Sequence, residues 1–203
     1  MNLRLTFALA ALVVLATGCQ STSIRSAWFD TSFTGPPMRK VVVAGRVDST
    51  VTSRAFEEAF AERLRAAGVD AVAGHSIRLH DAGLSEASIA AAVENAGAQG
   101  LLLVTLLGVD TRTKVMTTMV YGGMDWGWGP WGGGPVRPMV PVQEIRQYDL
   151  ATVETKLFDV KTKRLVWAAT TSTLNPGTVA QETPGFADLI IGQLSERGII
   201  ARR

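Results

Sequence analysis

The sequence is poor in the residues that most site chemistry requires. Its one cysteine, Cys19, excludes a disulfide framework, a cysteine-based zinc site and an iron–sulfur cluster within a single chain. Histidine ordinarily titrates near neutrality, and there are two, His75 and His80. Twenty Lys and Arg against 18 Asp and Glu give a formal charge of +2, too small an excess for binding a phosphate backbone. We therefore predict no nucleic-acid partner.

Catalytic and metal-binding constellations have to be sought around the two histidines. Ser85, His80 and a distant Asp would form a hydrolase triad, but nothing resembling a nucleophile elbow accompanies them. His80 and Asp81 would supply two metal ligands, and no third ligand follows at useful spacing. The interpretation we favour is that His75 and His80 are solvated loop residues. We predict no catalytic residue, no metal and no cofactor, and hence a protein that is not an enzyme.

Paired carboxylates occur at Glu57 and Glu58, within a segment that also carries several arginines. Such interleaving of opposite charges is typical of a solvated helix face. We predict that this pair is solvated and does not perform acid–base chemistry.

The amino-terminal segment predicts an export signal. A short basic start is followed by a 12-residue apolar stretch at 5–16, which is shorter than the roughly 20 residues that span a bilayer. Ala16, Thr17 and Gly18 then precede Cys19, and this arrangement resembles a bacterial lipobox. We predict that residues 1–18 are a lipoprotein signal peptide and that Cys19 carries a diacylglyceryl group and an acylated amine. The alternative is an ordinary secretory cut after Gly18.

An acylated Cys19 would make the lipid bilayer the first partner of the mature chain, since two or more acyl chains give stable anchoring. Lipoproteins that stay in the inner membrane typically carry Asp after the cysteine, and here Gln20 follows. We therefore predict an outer-membrane protein that faces the periplasm.

The mature chain divides into a tether and one domain. Residues 19–38 are polar at first and end at Gly35-Pro36-Pro37, so we predict an acylated tether there and a single α/β domain over 39–203. The fold we predict is a mixed sheet of about five strands that begins β-α-β-α-β and ends with a β-hairpin and a C-terminal helix. The expected strands are 40–47, 69–73, 101–107, 151–160 and 165–173, with a looser extension at 109–120; the expected helices are 53–67, 85–96 and 186–196.

A glycine- and tryptophan-rich loop, residues 121–141, interrupts the second half of the chain. Glycine density makes ordering costly, whereas exposed indole rings favour a binding role. We predict that Tyr121, Trp126, Trp128 and Trp131 contact a partner. The alternative is that the rings fold back onto their own domain. A formal G-x-G-x-x-G match inside the loop is rejected as a dinucleotide site, because Pro130 and the glycines that follow forbid the required helix.

Several stretches resemble a group of poorly characterised bacterial lipoproteins facing the periplasm. These stretches are Trp28-Phe29-Asp30 followed by Gly35-Pro36-Pro37, the Arg54-Ala55-Phe56-Glu57 helix start, and Leu165-Val166-Trp167 after a charge-rich turn. More distantly, the order of elements is similar to the TolB amino-terminal domain, curli-secretion lipoproteins and cell-wall-synthase activators. The resemblance implies a binding or assembly module, with no active site to carry over.

These observations together predict a non-enzymatic, membrane-anchored interaction or envelope-maintenance module. Its partner beyond the bilayer would be an envelope protein or a glycan. The alternatives are an oligomeric subunit of a secretion or assembly complex and, less favoured, an envelope hydrolase.

Overall fold

Valine-rich runs and two amphipathic helices build a three-layer α/β domain, which we describe from a computed structural model. The structure describes residues 22–47, 49–81, 84–121 and 139–201, with only the backbone of Tyr121. The strands are β1 (Thr22–Phe29), β2 (Lys40–Arg46), β3 (Asp70–Ala73), β4 (Gly100–Tyr121), β5 (Met139–Asp159) and β6 (Arg164–Leu174). The helices are α1 (Thr50–Ala66), α2 (Glu86–Asn95) and α3 (Val179–Glu196), with a short 3-10 turn at Gly74–Ile77.

The six strands form one mixed sheet in the order β1-β6-β5-β4-β2-β3. β2 is parallel to β3 and to β4, and the remaining pairs are antiparallel. The predicted α/β class, the β-α-β-α-β beginning, the later hairpin and the C-terminal helix are confirmed. The sixth strand is β1, which was not predicted.

Helix caps fix the two crossovers of the parallel part. The Ser49 hydroxyl accepts a hydrogen bond from the N–H of Thr52 and begins α1, four residues before the predicted cap at Ser53, which is buried instead. The predicted cap Ser85 accepts from Ser88 and begins α2. Gly68, with φ of 91°, follows α1 in the left-handed region, where glycine is favoured.

Apolar side chains cover both faces of the sheet. On one face α1 and α3 pack over β2, β4, β5 and β6, and Phe56, Phe60 and Phe186 meet there with ring centroids 5.7 to 6.1 Å apart. On the other face, a smaller cluster joins α2 to the sheet through Val42, Val93 and Val160. The core therefore sits where β2 and β4 lie between helices, as the continuous apolar runs of those strands predict.

β1 occupies part of the segment expected to be a tether. Residues 22–29 pair antiparallel with β6 along one edge of the sheet, although half of them are polar. An edge strand with one solvated face carries few apolar residues, and for this reason the tether interpretation did not detect it. Two residues, 20 and 21, lie between the predicted acylation point and the first strand.

The end of β1 is tied down by Asp30. Its carboxylate accepts hydrogen bonds from the N–H and hydroxyl of Ser32 at 2.9 and 2.6 Å and from Arg164 at 2.8 Å. These Ser32 hydrogen bonds, with a smaller contribution from the charge of Arg164, lower the pKa of Asp30. The Trp28-Phe29-Asp30 stretch thus links the end of β1 to β6.

α3 begins seven residues earlier than predicted. A capping box between Thr178 and Gln181 starts the helix at Val179, and Pro184 lies inside it. Proline followed by glycine ordinarily indicates a loop, so residues 175–184 were predicted to be one. The cap and the buried Phe186 and Ile190 outweigh the backbone hydrogen bond that Pro184 cannot donate.

Candidate interaction surface

β4 and β5 extend far beyond the rest of the sheet. β2 pairs with β4 up to Thr105, and β6 pairs with β5 up to Leu150, whereas β4 and β5 stay paired to Tyr121 and Met139. Residues 111–121 and 139–149, which we call the arm, form a two-stranded ribbon about 35 Å long at about 3.3 Å per residue. The prediction of an extension over 109–120 is confirmed, but the loop expected over 121–141 is shorter because β5 begins at Met139.

The two faces of the arm differ in charge. Directly opposed residues share a face, so the register gives one face with a single charge, Asp149 at its base, and another that carries Arg112, Lys114, Glu144 and Arg146. Towards its end, over residues 115–121 and 139–145, Glu144 is the sole charged residue. This part is called the outer arm below.

Large apolar side chains on the outer arm are exposed to solvent. Their exposed fractions run from 39% to 67%; they are Val115, Met116, Met119, Val120, Met139, Val140, Val142 and Ile145. A two-stranded ribbon is marginally stable alone, and a large exposed apolar patch marks an interaction site. Along the arm, no third described strand pairs with either edge, which leaves backbone donors and acceptors free for a partner.

Basic side chains surround a cleft at the base of the arm. Arg25, Arg112, Lys114 and Arg146 all line it, and its volume is about 700 Å³. Arg25 is the extra residue at a bulge of β1, and its Nε donates to the hydroxyl of Ser172 at 2.5 Å. Arg146 donates to both carboxylate oxygens of Glu144 at 2.8 and 3.1 Å. We call these four residues the basic cluster.

A second polar cluster centres on Glu57, whose side chain is fully buried. One carboxylate oxygen accepts from the N–H of Gly45 at 2.8 Å and lies 2.6 Å from Nε2 of His80. The other accepts from the N–H of His75 at 2.8 Å and lies 3.0 Å from its Nδ1. Nε2 of His75 faces the carboxylate of Glu58 at 3.2 Å. The prediction that Glu57 is solvated was wrong. His75 and His80 are partly exposed, as expected for the segment after β3, but both are also held by Glu57.

The Glu57 cluster joins segments and leaves little capacity for chemistry. A carboxylate offers about four acceptor positions, and two backbone N–H groups and two imidazoles occupy them. Gly74 permits the close packing, because a Cβ there would lie 3.0 Å from the carbonyl of Val43 and 3.3 Å from Glu57. Within the described residues, no group of three or more His, Cys, Asp or Glu is arranged to hold a metal. We read the cluster as a clip between β2, α1 and the loop after β3.

Two clefts flank the carboxyl end of β2. One has a volume of about 220 Å³ and is almost wholly apolar, with Phe56, Val104 and Phe186 among its walls. The other has a volume of about 450 Å³ and is bordered by Ser53, His80 and Asp81. The 2.6 Å contact of His80 with Glu57 orients its ring, but the Ser53 hydroxyl is directed to the carbonyl of Val47 at 3.4 Å. The contacts of Ser53 therefore do not include His80.

The residues predicted to contact a partner or lipid fall at the limits of the described chain. Cys19, Trp126, Trp128 and Trp131 lie outside the described residues, and of Tyr121 only the backbone pairing with Met139 is given. The structure adds the arm that carries the glycine- and tryptophan-rich segment. It also adds the basic cluster, which the sequence did not reveal because Arg25 is remote from the other three. Among the helices in the described ranges, none has the length and apolarity to cross a membrane.

Among known proteins, the chain is similar to several solved structures. No protein family and no curated protein matches the chain. The PelC dodecamer of Paraburkholderia phytofirmans aligns over 88% of this chain and 99% of the PelC chain, at 17% identity and a TM-score of 0.46. Lipoprotein GNA1162 of Neisseria meningitidis aligns over 77% of this chain and 98% of its own, at 9% identity and a TM-score of 0.41.

Proposed function

We propose that this protein is a non-enzymatic lipoprotein of the cell envelope whose arm binds an envelope protein at the membrane that holds Cys19. The observation that supports it is the arm itself, a two-stranded ribbon with unpaired edges and exposed apolar side chains. Free strand edges are recognised by strand addition, which is a way of binding protein. Anchoring beside the partner raises the effective concentration, so that a modest contact suffices.

The start of β1 lies only a short distance along the chain from Cys19. Two residues separate Cys19 from Thr22, so the start of β1 lies at most about 11 Å from the acylation point, the reach of three residue steps. A short connection of this kind keeps the arm close to the membrane, where an envelope partner would be met. Cys19 supplies the anchor in this proposal, and the segment that carries Trp126, Trp128 and Trp131 supplies contacts at the end of the arm.

Shortening the arm is expected to abolish partner capture. In cells, a variant in which residues 111–149 are replaced by a short glycine-containing turn should lose the cross-linked species that wild-type protein gives. Alanine at Trp126, Trp128 and Trp131 should reduce them several-fold, because aromatic anchors dominate interface energetics. Mass spectrometry of the cross-linked material identifies the partner.

The matched control for the tryptophan variant is Trp28→Ala, which removes an indole that is 51% exposed on β1 and lies outside the arm. Circular dichroism of the shortened variant checks that the domain remains folded. Undiminished cross-links in the shortened variant would show that the arm is not the binding element, and cross-links to glycan alone would place the partner in another class.

A second candidate function is a subunit of an oligomeric assembly. The observation in its favour is that both edges of the arm are unpaired among the described strands, so a second copy could join on each side. Light scattering of the acylated protein in detergent would then give a mass of several protomers. A monomeric mass at micromolar concentration would exclude this candidate.

A further inference from the structure

The predicted acylation point and the arm share one edge of the sheet. Thr22 begins β1 in a row of paired residues that crosses four strands: Thr22, Thr173, Ala151 and Val109. β1 and β4 run in opposite directions, so the chain before Thr22 and the chain after Val109 leave this row on the same side. Cys19 precedes the row by three residues, and Arg112 follows it by three. The reach of three residue steps allows Cys19 to lie at the level of Arg112.

The basic cluster spans that level: Arg112 lies three residues beyond the row and the pair Lys114 and Arg146 lies five beyond it. Arg25 lies on the other side of the row, where it donates to Ser172. Arg25, Arg112, Lys114 and Arg146 border one cleft, whereas the acidic residues on the same face of the ribbon are Asp110 and Glu144. Four cations against two carboxylates leave two positive charges in excess. The side chains of Arg112 and Lys114 have no hydrogen-bond or ion-pair partner among the residues that the structure describes. The cleft is therefore suited to anions that come from outside the chain.

Beyond the level of the cluster, the arm changes to a composition suited to lipid. Glu144 is the one charge of the outer arm, and Arg146 pairs with it through both carboxylate oxygens. Apolar side chains, threonine and glutamine make up most of the remainder. Cations beside exposed apolar residues are found where proteins meet the interface of a bilayer.

From these observations we propose that the basic cluster binds the phosphate groups of anionic lipids in the membrane that holds Cys19. This lipid site rests on the proposed function, since it takes Cys19 as the anchor. The occupant is lipid because the covalent reach from Cys19 to Thr22, at most about 11 Å, holds the cluster at the headgroups.

The binding step is tested without the anchor. The full mature chain carrying Cys19→Ser is mixed with phosphatidylcholine vesicles that contain 30% phosphatidylglycerol, and flotation measures the bound fraction. Each basic residue near an anionic surface contributes about fivefold to binding, so Arg112→Gln with Lys114→Gln should weaken it by about 25-fold. The control pair, Arg39→Gln with Lys161→Gln, removes the same charge at the opposite end of the sheet and should change binding less than threefold.

Equal loss in the two double variants, equal binding to pure phosphatidylcholine, or no binding to the anionic vesicles would each overturn the proposal. These outcomes are independent of the cross-linking result, because the vesicles contain no protein partner. A failed proposed function and a failed lipid site are therefore distinguishable.

Discussion

Glu57→Ala is expected to lower the free energy of unfolding by about 3–5 kcal/mol, the range for removing one partner from a buried charged group. The substitution leaves the N–H groups of Gly45 and His75 without their acceptor inside the domain, and it unties His80 from α1. A buried donor that loses its partner incurs its full desolvation cost. Urea unfolding followed by circular dichroism measures the effect.

Glu58→Ala is the matched control for this prediction, because it removes the neighbouring carboxylate, which is about half exposed. Exposed ion pairs contribute roughly 0–1 kcal/mol, so a loss below about 1 kcal/mol is expected. If Glu57→Ala and Glu58→Ala destabilise the domain equally, the Glu57 cluster is not the clip described above.

Trp167→Ala is expected to cost about 3–5 kcal/mol, the range for a large buried aromatic side chain. Trp167 is 0% exposed on β6, between Phe29 of β1 and Leu157 of β5, and it belongs to the cluster beneath α1 and α3. Removing its side chain would leave a cavity between the edge strand β1 and the core. Thermal and urea unfolding of the purified mature chain measure the change.

Trp28→Ala serves again as the control, since it removes the same side chain from a half-exposed position on the neighbouring strand. It should cost about 1 kcal/mol or less. Trp167→Phe should cost less than Trp167→Ala, because the indole N–H that it removes has no hydrogen-bond partner among the described residues. A Trp167→Ala protein as stable as Trp28→Ala would show that β1 and β6 do not close the core.

Sequence patterns predicted those parts of the fold that follow from burial on two faces. The valine run of β2, the leucine run of β4 and the caps around α2 each combine a strong local preference with a buried position. β1 escaped prediction because an edge strand can be polar and yet be fixed by Asp30 and by pairing with β6. Pro184 concealed the start of α3, because proline followed by glycine ordinarily indicates a loop. In the structure the packing of α3 outweighs that local preference.

The polar cluster was missed for a related reason. Phe56, Phe60 and Leu64 indicated one buried stripe of α1, whereas Ser53, Glu57, Phe60, Ala61 and Leu64 are the residues that α1 buries. The signal that could have found it is the spacing of Glu57 relative to Phe60 and Ala61, which puts a carboxylate on the buried face. A buried carboxylate requires donors, and the only two histidines of the chain follow at positions 75 and 80.

The basic cluster depends on tertiary pairing. Arg25 and Arg146 lie more than a hundred residues apart, and the order of strands together with the bulge of β1 brings them to one cleft. No local pattern contains that information. The arm could be anticipated in part, since loose alternation over 109–120 indicated a strand. Of its partner strand, residues 139–141 were placed in the predicted loop and residues 142–150 were assigned to no element.

The central claim is that Cys19 is a lipid-bearing anchor for a domain that binds and does not catalyse. The most direct measurement is the intact mass of the protein purified from membranes, with fragmentation of its amino-terminal peptide. We predict a chain that begins at Cys19 and carries a diacylglyceryl group on the thiol and an acyl group on the amine. A mature chain of unmodified peptide mass, or a cytosolic chain that retains residues 1–18, would contradict the account.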